Sequence, residues 1–106
     1  MIIHYGSRKL KSKLANLIAI KRFFNKIEKN LIHRLSELEL ANSLKDISEE
    51  PPPRRHKLYN DYKNCWSIDC SKNYRIIIKP TGCYEINDLS TITEITILDI
   101  VDYHGS

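Results

Sequence analysis

Glycine is scarce in this sequence. The 106 residues hold three, Gly6, Gly82 and Gly105, whereas phosphate-cradling turns need glycines in clusters, so the usual nucleotide-binding loops are excluded. Neither a G-x-S-x-G nucleophile turn nor an H-E-x-x-H zinc helix occurs. Cysteine is sparse and odd in number: Cys65, Cys70 and Cys83 form no C-x-x-C pair. That argues against a disulfide framework and against zinc-ligand spacing, and free thiols in a reducing compartment are expected. No apolar run approaches the roughly 20 residues of a membrane span. The opening MIIHYGSRKLK places apolar residues before basic ones, the reverse of a secretory signal. The expectation is a cytoplasmic protein without membrane contact, folded as a single domain over residues 1–106.

Acidic residues are nearly missing from one end and basic residues from the other. Residues 1–34 carry nine Lys or Arg against Glu28 alone, while residues 82–106 carry five carboxylates and no Lys or Arg. The net charge of +4 therefore understates the asymmetry. A basic half suits a polyanion such as nucleic acid, and it equally suits an ordinary solvated helix face.

What is present divides into a helical half and a strand half. Met1–Tyr5 is short, apolar and β-branched and predicts a first strand. Ser7 is an expected N-cap for a basic helix with Leu10, Leu14, Leu17 and Ile18 at helical spacing. The stripe resumes at Phe24, Ile27, Leu31, Leu35 and Leu38, with polar residues around the rest of the wheel. The pattern fits one helix from Leu10 to Ala41, or two with a break near Asn16 to Ile20. Ser43 followed by Asp46 resembles a capping box. EEPPPRR (Glu49 to Arg55) predicts a rigid extended connection.

From Arg55 the apolar period becomes two. Lys57–Asn60, Cys65–Cys70 and Tyr74–Lys79 predict three short strands, and Cys83–Ile86 with Thr93–Val101 a hairpin around Asn87 to Ser90. Helices first and hairpin-built strands afterwards predict an α+β fold, with the N-terminal helices on one face of a small, mainly antiparallel, twisted sheet. The chemically interesting side chains are His56 before the strands, Arg75 within NYRIIIK, and Asp102, Tyr103 and His104 in VDYH. Singly, each has an ordinary explanation as a surface or packing residue.

Together they carry a resemblance. RRHKLYNDYKNCWSIDCSKNYRIII followed by VDYH resembles the HigB branch of the RelE/ParE toxin superfamily. That branch has a basic-His-x-Leu segment, a Trp-Ser-Ile strand, an Asn-aromatic-Arg-Ile strand and a closing Asp-Tyr-His. RLSELELANSLKDI is similar to the end of the family's second helix and the turn after it. The match covers roughly residues 34–79 and 99–104. It implies a toxin of a type II toxin–antitoxin system: an endoribonuclease that cuts mRNA on the translating ribosome, needs no metal or other cofactor, and is neutralised by a HigA-like, helix-turn-helix antitoxin. Operator DNA would be met only through the antitoxin complex.

Carried over by position, the catalytic set is His56, Arg75, Asp102, Tyr103 and His104, and the RNA-binding set is Arg54, Arg55, Lys57, Tyr59 and Lys63. Attack by the RNA's own 2′-hydroxyl needs a base, an acid for the departing 5′-oxygen and positive charge at the phosphorane. His56 and His104 would share the proton transfers, Asp102 would orient or charge an imidazole, Tyr103 would position the nucleotide, and Arg75 would clamp the phosphate. If so, one concave, basic face carries all five.

The sequence departs from the family twice. Relatives often read His-x-Leu-Lys-Gly-Asp where this chain has HKLYND, so Tyr59 replaces the lysine and Asn60 the glycine. The stretch YEINDLSTITEIT is longer than the family's usual hairpin, with an acidic tip. Two other functions remain compatible with the same fold: a ParE-like inhibitor of DNA gyrase, which needs no acid/base pair, and a degenerate toxin retaining antitoxin and operator binding.

Overall fold

Local capping divides the N-terminal half. A computed structural model describes residues 1–102, and Tyr103 and His104 therefore lie outside the described residues. After strand β1 (Ile2–Tyr5), the Ser7 hydroxyl accepts from the Leu10 amide at 3.1 Å and starts helix α1 (Arg8–Lys13). The Asn16 carboxamide oxygen accepts from the Ala19 amide at 2.9 Å and starts α2 (Leu17–Phe23). A 3₁₀ turn, Asn25–Ile27, leads into α3 (Glu28–Leu40). The expected helix of one or two pieces is thus three, with breaks before Asn16 and at Phe24.

The Asn16 cap also reassigns the core. It starts a new helical phase in which Ile20 is buried while Leu17 and Ile18 face solvent, at 64% and 82% exposure. The stripe expected of Leu17 and Ile18 is therefore corrected to Leu10, Leu14, Ile20, Ile27, Leu31 and Leu38. At the far end of α3, whose last turn holds no basic side chain, the Met1 ammonium donates to the carbonyls of Leu38, Glu39 and Ala41 at 3.3, 2.9 and 2.5 Å. A cation there offsets the negative end of the helix dipole and ties β1 to α3. The Ser43–Asp46 capping box forms as expected and starts a 3₁₀ turn, Leu44–Asp46.

The triple proline does not run as an extended rod. The Arg54 amide closes back on the Glu50 carbonyl at 3.1 Å, so Glu50–Arg54 is a turn, and Arg54 itself sits in the left-handed region at φ 51°. The strands that follow are β2 (His56–Lys57), β3 (Trp66–Asp69), β4 (Tyr74–Pro80) and β5 (Glu94–Asp102). Among the described residues they form one five-stranded sheet in the order β1-β5-β4-β3-β2. The β1–β5 pair is parallel and the other pairs are antiparallel, giving an α+β fold with a mixed sheet.

The expected hairpin between Cys83–Ile86 and the last strand is not made. Thr93–Val101 instead pairs with the longer, apolar β4 on one side and β1 on the other. With both its edges taken, Cys83–Ile86 remains a loop, pinned where the Glu85 amide donates to the Thr91 hydroxyl at 2.9 Å. The loop's acidic tip is a small capped turn in which the Asp88 carboxylate accepts from the Ser90 amide and hydroxyl.

The helices cover one face of the sheet. Ile68, Cys70, Ile76, Ile78, Ile95 and Ile97 join Leu31, Leu38 and Leu44 in a single apolar cluster. Alternation along each strand then sends Ser67, Asp69, Arg75 and Ile77 to the opposite, helix-free face. A bulge between Ile77 and Ile78, opposite Leu98, shifts the register midway along the β4–β5 pair.

Candidate functional site

The helix-free face is assembled by register. His56 stands opposite Ser67, Ser67 opposite Ile77, and Asp69 opposite Arg75. Residues directly opposite on antiparallel strands share a face, so His56, Ser67, Asp69, Arg75 and Ile77 form one surface spanning β2, β3 and β4. His56 and Arg75 are two strands and two residues apart, a Cα separation of about 12 Å from ordinary sheet spacings. Ser67 and Ile77 make its floor and expose no surface, and the Ser67 hydroxyl has no hydrogen-bond partner among the described residues.

His56 is held in one tautomer. Its Nδ1 lies 3.1 Å from the Arg54 carbonyl oxygen, which can only accept, so in the neutral ring Nδ1 carries the hydrogen and Nε2 keeps the lone pair. The left-handed backbone of Arg54 makes this contact possible. That conformation costs on the order of 1–3 kcal/mol for a residue with a Cβ, and the bonds around it hold it. The Arg54 amide donates to Glu50, and the Arg55 amide to the Ser48 carbonyl at 2.8 Å. The Asp69 amide donates to the Pro53 carbonyl at 2.7 Å.

Arg54 and Arg75 converge on one carboxylate that the sequence reading did not single out. Arg54 grips Asp69 in a bidentate pair, Nε to Oδ2 at 2.7 Å and Nη2 to Oδ1 at 3.1 Å. Arg75 Nη1 donates to the same Oδ1 at 2.8 Å. The hydrogen bond to Asp69 raises the Arg54 pKa above its ordinary value, partly opposed by desolvation. Period-two alternation across the Cys70-Ser71-Lys72-Asn73 turn joining β3 to β4 was the available signal for Asp69, since it sets Asp69 and Arg75 opposite each other.

Several sequence expectations are corrected by position. Arg55 is buried: its Nε donates to the Ile47 carbonyl at 2.7 Å and its guanidinium stacks on Trp66 at 5.2 Å. It is a packing residue and offers little to an RNA. Lys57 stands opposite Trp66, which packs on the core, and so occupies the other side of the strand from His56. Tyr59 and Lys63 are exposed around the 3₁₀ turn Asn60–Tyr62. Asn60 has φ 60°, a conformation glycine and asparagine adopt most readily.

Asp102 does not join His56 and Arg75. It stands opposite Tyr74, whose neighbours along the same face, Ile76 and Ile100, belong to the helix-covered side. The Tyr74 phenol is pushed up by desolvation, and further by the Asp102 charge and a hydrogen bond to it. The bulge does not reverse this, because Ile76 and Ile100 remain paired beyond it. An arrangement with all five catalytic candidates on one face is thus not met at Asp102, and Tyr103 and His104 lie outside the described residues. The face is also not uniformly basic, since Asp69 and Asp99 share it with Arg75 and His56.

His4, at the β1 edge of the same side of the sheet, pairs with Glu94 at 2.9 Å, and His33 pairs with Glu37 at 3.1 Å on α3. Among the described residues no three His, Cys, Asp or Glu side chains come together as a metal-ligand set, and no helix is long and apolar enough to cross a membrane. No family model and no curated protein matches the chain.

Proposed function

We propose that this chain is the toxin of a type II toxin–antitoxin pair, a ribosome-dependent mRNA endoribonuclease of the HigB type in the RelE/ParE superfamily, acting in the cytoplasm. The observation that carries the reading is His56: its Nδ1 lies 3.1 Å from a carbonyl oxygen that can only accept, which leaves Nε2 for chemistry on the helix-free face that Arg75 shares. A neutral imidazole in that state takes a proton, as cleavage by an RNA 2′-hydroxyl requires. Arg54 and Arg75 supply donors for the charge that develops on phosphorus.

Tyr103 and His104 enter by resemblance alone, as nucleotide-positioning group and second proton-transfer group. Asp102 is assigned to Tyr74 at the margin of the face and not to the His56 imidazole. A HigA-like antitoxin would neutralise the chain, and operator DNA would be touched through that complex.

The test is primer extension on a reporter mRNA in a cell-free translation system. Cuts inside the reading frame that require ribosomes are expected from the wild-type chain. His56→Ala should reduce their rate by ~10²–10⁴, the usual cost of losing one proton-transfer group. The same assay on His104→Ala assigns the second group. Folded, antitoxin-free protein that leaves the message intact overturns the reading; a DNA-damage response in cells would then point to gyrase inhibition.

A further inference from the structure

We propose that Arg54 and Arg75 form a binding site for one RNA phosphodiester, that Asp69 fills this site in the free chain, and that RNA exchanges its phosphate for the carboxylate. The inference rests on the ribonuclease reading for the identity of the ligand. Its physical basis is the arrangement of donors. Three N–H groups from two guanidiniums meet the two oxygens of one carboxylate at 2.7, 3.1 and 2.8 Å. Two non-bridging phosphate oxygens accept donors in the same way, and planar forks of this kind are the preferred partners of both anions.

The cluster is reachable. The side chains of Arg54, Asp69 and Arg75 are 36%, 22% and 21% exposed. A partly solvated ion pair contributes little net stability, so a second anion can compete for its donors. Asp69 borders a shallow hollow of about 340 Å³ that Lys72, Asn30 and Arg34 line as well. His56 is coupled to the exchange, because its Nδ1 contact is the carbonyl of Arg54.

Asp69 thus lowers the chain's affinity for RNA while keeping both arginines extended toward the site. The experiment measures binding of a labelled, single-stranded RNA carrying 2′-O-methyl groups, which the chain cannot cleave, by fluorescence anisotropy across a salt series. Asp69→Asn keeps the size of the side chain and removes its charge. In this variant the phosphate no longer has to displace a partly exposed carboxylate, so binding should tighten about fivefold at 0.1 M salt. Asp99→Asn removes a carboxylate from the same face without freeing either arginine, and should change affinity less than twofold.

Unchanged or weaker binding by Asp69→Asn overturns the proposal and makes Asp69 a positioning residue for the arginines. Equal gains in both variants also overturn it, because a general charge effect then suffices. Absence of binding by every chain overturns the inference alone, since the ribonuclease reading is judged by cleavage. If Asp69→Asn does not fold, the wild-type chain still decides. The Arg54 Nε–H resonance should shift as RNA is added, and a stationary resonance in RNA-bound protein overturns the exchange.

Discussion

At the scale of single residues, the Arg54–Arg55 pair shows how two identical neighbours take opposite roles. Arg54 turns through a left-handed backbone and reaches Asp69 on the helix-free face. Arg55 points inward, with its stem on Trp66 and its Nε on the buried Ile47 carbonyl. Arg55→Ala would leave that carbonyl without its donor and strip the stacking surface from Trp66, a loss of about 2–3 kcal/mol. Urea unfolding measures it. RNA affinity of the remaining folded protein should be unchanged, and a large fall in affinity at unchanged stability would return Arg55 to the binding surface. The Arg34 side chain behaves similarly on the other face: it is buried, pairs with Glu37 and sits near Cys70.

At the scale of elements, short caps do what long helix propensity does not. Neither α1 nor α2 is long enough to be stable by itself. Asn16 decides where α2 begins, and so decides that Ile20 and not Leu17 or Ile18 reaches the core. Asn16→Ala should cost about 0.5–1 kcal/mol, because the Ala19 amide then has only water. Thermal unfolding with Asn16→Ser as the cap-preserving control checks this, and equal losses in both variants would show that the cap is not the cause. The β-strands follow the same economy of local signals. β2 is two residues long, and its function is to deliver His56 opposite Ser67 once the Glu50–Arg54 turn has aimed the chain.

For the whole molecule, the core between helices and sheet contains ionisable groups whose protonation responds to folding. Burial pushes the Cys70 thiol up to about 11, partly opposed by Arg34, and burial raises Cys65 as well. The folded chain therefore keeps a proton that the unfolded chain gives up at about pH 9. Stability is fully present below that and falls as pH rises from about 9 toward about 11. Urea midpoints at pH 8 and pH 10.5 should show the loss, and Cys70→Ala should reduce it. A thiol reagent at neutral pH should modify exposed Cys83 quickly and the buried Cys65 and Cys70 slowly. Equal rates at all three would contradict the packing.

The parts determined by sequence alone are those with short-range causes. Ser7, the Ser43–Asp46 box, the strand character of Ile2–Tyr5, Trp66–Asp69 and Tyr74–Pro80, and the α+β class each follow from a side chain bonding its own backbone or from an apolar period of two. His56 and Arg75 were singled out by resemblance and not by spacing, and period-two alternation from β2 to β4 is what keeps them on one face. What only the tertiary structure decided are competitions between distant partners. β5 pairs with β4 and β1 because the long apolar edge of β4 outbids Cys83–Ile86 for the same backbone hydrogen bonds. That pairing sets Asp102 opposite Tyr74, away from Arg75. Asp69 became part of the site for a related reason: its partner Arg54 is 15 residues back along the chain, and a local pattern carries no information about which guanidinium a fold will bring to a carboxylate.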